Sequence, residues 1–217
     1  VMALFMSQNI AQNIWAADTA KPPLVIELFT SKFCPNCPPV EIKMNKEAAA
    51  NPHWLLLQQH VDYWDRGGKF VDPYGLPEAT QRQYDYSNVI GRRAGEVFTP
   101  MPLLNGQFTS PPPLWLHWGT ALAQAEKMPE PKRITLSKTA KGGLSMALPK
   151  GATEAWLMGV EPMGSTNALR VRAIVPMEVQ KGMATLSAAL LPKTAEWVAL
   201  AQATGPGAVV GFARYKP

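Results

Sequence analysis

Two cysteines, three positions apart in Cys34-Pro35-Asn36-Cys37, constrain this chain more than any other feature of its 217 residues. A stapled disulfide framework would need more cysteines at wider spacing. A structural zinc site would need four ligands, and there is no second C-x-x-C. Redox chemistry is therefore the first reading of the pair. A permanent disulfide and a partial metal site remain open beside it.

The flanking sequence gives the pair a context. Residues 24–29, Leu-Val-Ile-Glu-Leu-Phe, form a short apolar run of the kind found in buried strands. Residues 40–50 are rich in helix formers and stop at Asn51-Pro52. A second apolar run over 54–61 completes a β-α-β unit with parallel strands. The cysteines fall where the first strand hands over to the helix. Amides at a helix start favour a thiolate, so Cys34 is expected as the exposed attacking sulfur and Cys37 as the buried resolving one. Pro38 and Pro39 lack amide donors and fit only a first helical turn. The helix is therefore expected to begin at Asn36 or Cys37, which weakens the dipole's hold on Cys34.

Further on, residues 62–75 read as a long loop dense in Asp, Gly and aromatics, and 77–90 as a helix opened by Pro77. Asn105-Gly106 between 102–104 and 107–109 predicts a hairpin, with Pro102 limiting its pairing. A helix follows over 114–127, and Pro129-Glu130-Pro131 reads as a linker. From Lys132 the texture changes to short alternating runs at 134–137, 144–148, 154–160, 169–175, 184–191, 197–203 and 208–213. Seven short strands in so few residues suggest a small antiparallel sandwich.

Thr99-Pro100-Met101 ahead of the hairpin resembles the thioredoxin superfamily, particularly its glutaredoxin-like branch. The resemblance implies a cis-proline at Pro100 beside the dithiol, with the Thr99 backbone pairing a bound peptide. Several further stretches enlarge it: Glu27 to Ser31, the Cys-Pro-Asn-Cys-Pro-Pro run, His60 to Asp65, and Arg82-Gln83 with Tyr86 or Tyr84. Together they resemble a family of secreted bacterial thioredoxin-like proteins catalogued as a domain of unknown function. The likeness covers 24–127 well and the tail more weakly; the loop at 164–167 is shorter than the family leads one to expect. The implied architecture is an α/β thioredoxin-like domain over 21–128 and a small all-β sandwich-like domain over 132–217. Residues 1–20 then form a signal-peptide remnant or a disordered arm, since they lack a basic start and a long apolar core.

The expected function is extracytoplasmic thiol–disulfide exchange, periplasmic or secreted, without a cofactor. The partners are protein or small-molecule thiols and disulfides. His60, Asp62 and Asp65, at the end of the second strand, are possible accessory groups that could move a proton near the dithiol. They could equally cap the strand and loop through local hydrogen bonds. The alternative is a non-enzymatic copper(I) or other soft-metal protein using Cys34, Cys37, His60 and Met101. A third reading makes the chain an adaptor whose β-rich half binds a partner. The net charge of +5 is spread thinly, with no basic stripe interleaved with aromatics, so nucleic-acid binding is not expected. No apolar run approaches the ~20 residues that span a bilayer, so no transmembrane segment is expected either.

Overall fold

The computed structural model describes residues 21–90, 96–110, 114–164 and 167–216, with the side chains of 114 and 115 excluded. The arm expected over 1–20 lies outside the described residues.

The expected β-α-β unit is present as β1 (Leu24–Thr30), α1 (Cys37–Ala50) and β2 (Trp54–His60). The strands pair in parallel from Leu24↔Trp54 to Thr30↔His60. Both are buried along their whole length, which explains their near-continuous apolar sequences. Helix α2 (Pro77–Val89) follows the long loop. Strand β3 (Met101–Leu104) then pairs antiparallel with β1, placing Met101 opposite Phe29. Asn105 and Gly106 both adopt positive φ, 46° and 67°, as a tight hairpin turn to β4 (Phe108–Thr109) requires. Only two residue pairs join β3 to β4, consistent with Pro102 having no amide to donate.

Alternation along the strands separates two faces. Ile26, Leu28 and Leu56 meet Val40, Met44 and Ala48 of α1, and Trp118 and Ala121 of α3 (Leu114–Ala125). On the opposite face, Val25, Leu55 and Leu57 meet Ala79 of α2. The dithiol helix and α2 therefore cover opposite sides of one sheet.

The tail departs from the expected free-standing sandwich. Strand β9 (Ala168–Pro176) pairs in parallel with β2 through Leu56↔Ala168 to Gln58↔Arg170. Next come β8 (Glu154–Pro162), β12 (Glu196–Gln202), β13 (Val209–Tyr215) and β5 (Lys132–Arg133). The result is one mixed nine-stranded sheet ordered β4-β3-β1-β2-β9-β8-β12-β13-β5. The edge of β2 supplies the unpaired backbone groups that β9 takes up. A second sheet, β10 (Glu178–Gln180), β11 (Met183–Leu186), β7 (Leu144–Ala147) and β6 (Ser137–Lys138), shares a core with the far end of the first through Leu144, Met146, Leu157, Trp197 and Tyr215. The strand expected over 134–137 is split because the chain crosses between sheets there. Ile134 still donates its amide to Phe212 of the large sheet, while buried Leu136 turns into the shared core. No helix among the described residues is long and apolar enough to cross a membrane.

Candidate functional site at the dithiol end of the sheet

β1 and β2 both end, and β3 begins, at the same side of the sheet, so the loops leaving them converge. Residues 31–34 form a turn closed by Cys34 N–H donating to Ser31 O at 3.2 Å. Cys37 N–H then donates to Cys34 O, and α1 starts at Cys37 with Pro38 and Pro39 in its first turn. The helix thus begins where its prolines dictate. Cys34 and Cys37 are joined as a disulfide, with Cα atoms 5.4 Å apart.

The exposed position expected for Cys34 is not what the structure holds. Cys34 is only 2% exposed and Cys37 is fully buried. The loop over 62–75 is bound to the turn ahead of Cys34. Asp72 is the fastening: its Oδ2 accepts from Lys32 N–H at 2.7 Å and Ser31 Oγ at 3.3 Å. The same oxygen lies 2.8 Å from His60 Nδ1, and Oδ1 accepts from Tyr74 N–H. Burial works against the charged form of this carboxylate. The Lys32 amide, the His60 ring and the Tyr74 amide overcome that, and the group sits below the ordinary aspartate value. The Phe33 and Phe70 rings, edge to face at 5.9 Å, add a second tie between turn and loop.

The accessory residues divide. His60 ends β2 on the α1 face and belongs to the Asp72 cluster. Asp65 reaches the same cluster, accepting from Asp72 N–H at 2.8 Å. Asp62 does not, because it exchanges hydrogen bonds with Thr80 of α2 through its own amide and Oδ1. Sequence reasoning missed Asp72, the centre of the cluster. Its only signal was Asp72-Pro73 in a turn-rich loop.

Thr99 and Pro100 enter β3 through a cis peptide bond. Thr99 Oγ1 accepts from Trp64 Nε1 at 2.8 Å, joining this segment to the 62–75 loop. Tyr63 OH donates to Gln83, whose Nε2 donates to Phe98 O. Burial pushes the Tyr63 phenol up to about 12, against the lowering effect of Thr99 and Gln83. Met101 packs with Phe29 and Tyr86 on the α2 face. Strand alternation therefore sets it on the opposite side of the sheet from His60, so the two do not converge on the dithiol. Among the described residues no three His, Cys, Asp or Glu side chains are grouped to hold a metal ion.

Beneath the α2 face lies a buried ionic network. Arg82 Nε and Nη2 donate to the two Glu27 oxygens at 2.7 and 3.1 Å, and Nη2 also reaches Tyr86 OH. Gln59 donates to Glu27, and Gln202 of β12 bonds both Arg82 and Tyr86. Burial opposes the Arg82 charge, but Glu27 more than compensates and keeps it firmly protonated. Burial, with Glu27 adding to it, holds Tyr86 well above the ordinary phenol range despite Arg82. The network binds β1, α2 and β12 into one body rather than forming an open site.

Comparison with known families fits this architecture. The chain belongs to the family described as "Protein of unknown function (DUF1223)", which matches residues 25–184. No curated protein matches it. Among solved structures it is similar to protein AGR_C_4864 from Agrobacterium tumefaciens, with 21% identity and a TM-score of 0.69 over 92% of this chain and 96% of that one. It is also similar to HBP35 of Porphyromonas gingivalis, with 11% identity and a TM-score of 0.52 over 89% of this chain and 74% of that one. At these identities the likeness is one of fold.

Proposed function

We propose that this chain is a thioredoxin-like thiol–disulfide exchange protein working outside the reducing cytoplasm, with Cys34 and Cys37 as its redox pair. The observation that carries the reading is the disulfide itself, closed across a C-x-x-C at the junction of a parallel strand and helix α1. Thr99–Pro100, at the same end of the sheet, supports it. Cys34 is enclosed at rest, so exchange requires the dithiol turn to open. A partner thiolate then attacks Cys34 Sγ, and the electron pair of the S–S bond leaves with Cys37, which takes up a proton. The partner's second thiolate then attacks the partner sulfur of the mixed disulfide and releases Cys34. The partner loses two electrons and two protons, and the cysteine pair gains them. The reverse sequence reduces a partner disulfide. The extracytoplasmic location rests on the resemblance of the sequence to secreted proteins.

The test is trapping. Cys37→Ser, which keeps the attacking sulfur but cannot resolve, should accumulate mixed disulfides with partner disulfides, the partner's second sulfur leaving as a thiolate. Cys34→Ser should trap none. Equal and unchanged reactivity of the two variants would exclude the role.

A further inference from the structure

The rim of the dithiol is chemically one-sided. Lys32 and Phe33 immediately precede Cys34, and the 62–75 loop brings Arg66, Lys69, Phe70 and Val71 to the same lip. Arg66 N–H donates to Phe70 O and Phe70 N–H to Gly67 O, so this stretch is a closed turn. Its tip is pinned to the dithiol turn by the Phe33–Phe70 contact and by Asp72. Lys69 Nζ stands 5.5 Å above the Phe70 ring. Lys32, Arg66 and Lys69 are exposed and make no ion pair among the described residues. The loop's carboxylates are each engaged in hydrogen bonds: Asp62 with Thr80, Asp65 with the Asp72 amide, and Asp72 with the Lys32 amide and the His60 ring. Phe70 and Val71 stay 47% and 49% exposed. One more cation stands near the end of β2, where Arg170 lies 3.8 Å from the Tyr74 ring; Arg172, 4.9 Å from the same ring, is paired with Glu161.

We infer that this lip selects polypeptide partners whose reactive cysteines lie in acidic segments carrying an apolar side chain. The inference rests on the exchange reading above and names its substrate class. Lys32 and Phe33 immediately precede Cys34, so a partner seated on Cys34 lies beside them. Three unpaired cations there attract an anionic chain and repel a cationic one, while Phe70 and Val71 offer it apolar area. Screening sets in over about 8 Å at physiological salt, so the selection should be strong at low ionic strength and fade as salt rises. A lipid surface is the other anionic object such a lip could meet. A polypeptide is favoured because the cations adjoin the sulfur that would react.

The experiment follows reduction of the oxidised protein by three dithiol peptides, acidic, neutral and basic, identical apart from the residues flanking their cysteines. Acid quench, alkylation and mass spectrometry give the rates. The acidic peptide should react about tenfold faster than the basic one at low salt, with the ratio falling toward one at high salt. In the variant Arg66→Glu/Lys69→Glu the ratio should fall below one. Equal wild-type rates for acidic and basic peptides, with the neutral peptide still reacting, would overturn the substrate class and leave the exchange reading intact. A ratio unmoved by the double variant would overturn the assignment to this lip. Sedimentation with phosphatidylglycerol vesicles without any peptide preference would assign the lip to lipid and overturn the inference. Failure of all three peptides to react would overturn the exchange reading and the inference together.

Discussion

His60 Nδ1 lies 2.8 Å from Asp72 Oδ2, and both side chains are almost fully buried. An acceptor carboxylate fixes the proton on Nδ1, so the pair orients the ring as well as holding it. The same carboxylate oxygen receives the Lys32 amide, two residues before Cys34. The end of β2, the 62–75 loop and the turn leading to the disulfide are thereby joined through one atom. Cys34 itself is enclosed although it sits on a loop at the sheet edge.

Asp72→Asn removes the charge from this cluster. Hydrogen bonds to charged groups contribute about 1.5–3 kcal/mol, and several are weakened at once. The variant should lose about 2–3 kcal/mol in urea unfolding at pH 7. Asp72 titrates lower in the folded protein than the ordinary aspartate value of 3.8, so its contribution is fully present above pH 3.8 and declines as pH falls through the folded value. The stability difference between wild type and variant should shrink accordingly in acid. With the turn ahead of Cys34 released, dithiothreitol should reduce the variant's disulfide faster than the wild type's. A variant of wild-type stability and reduction rate would show that Asp72 fastens nothing.

Gly106 has φ +67°, and a Cβ there would collide with the Gly207 carbonyl. A left-handed backbone costs a non-glycine residue about 1–3 kcal/mol, and the collision adds to that. Gly106→Ala should therefore destabilise the fold, while Gly119→Ala, with open space around its Cβ, should leave it unharmed or firmer. Thermal unfolding of the two variants side by side provides the check.

Much of the first half was legible in the sequence because local signals and tertiary packing agree there. The apolar runs of β1 and β2, the Pro-limited start of α1 and the Asn105-Gly106 turn each follow from chemistry within a few residues. The pairing of β2 with β9 was not legible, since nothing in Leu56 or Ala168 announces a partner more than a hundred residues away. Asp72 was hidden for a similar reason: a lone aspartate in a polar loop looks solvated until the fold brings His60 and the Lys32 amide to it. The two cysteines were read correctly as neighbours at the strand–helix junction. The burial of Cys34 is a property of the folded surroundings, in which a loop some thirty residues further along is tied to its turn, so the sequence motif alone could not express it.

Tyr63 offers a spectroscopic check on how the 62–75 loop packs against α2. Its phenol stands at about 12, raised chiefly by partial burial and lowered somewhat by the hydrogen bonds to Thr99 and Gln83, in a side chain that is still 38% exposed. A raised phenol contributes stability below the unfolded value near 10, and that contribution is lost as pH climbs toward 12. Ultraviolet titration should therefore show late tyrosine absorbance, to which Tyr86 also contributes, and that late amplitude should be smaller by one tyrosine in Tyr63→Phe. If that substitution instead removes a transition near pH 10, the hydroxyl is solvated and the loop is not docked on α2.

The Glu27–Arg82 pair separates a structural role from a chemical one. Both groups are almost wholly buried, with Tyr86, Gln59 and Gln202 satisfying much of their remaining hydrogen-bonding capacity. Removing one partner leaves an uncompensated buried charge, which costs about 3–5 kcal/mol, whereas replacing both with apolar residues of similar volume costs far less. Glu27→Met and Arg82→Met should each be strongly destabilised in urea, and Glu27→Met/Arg82→Met should be more stable than the sum of the single losses implies. The double variant should keep its disulfide and trap partners through Cys34 once Cys37→Ser is added, because the network lies on the α2 face and the dithiol helix on the other. Additive losses would mean the two charges are not coupled. Loss of trapping in a folded double variant would give the network a part in the chemistry that its position does not suggest.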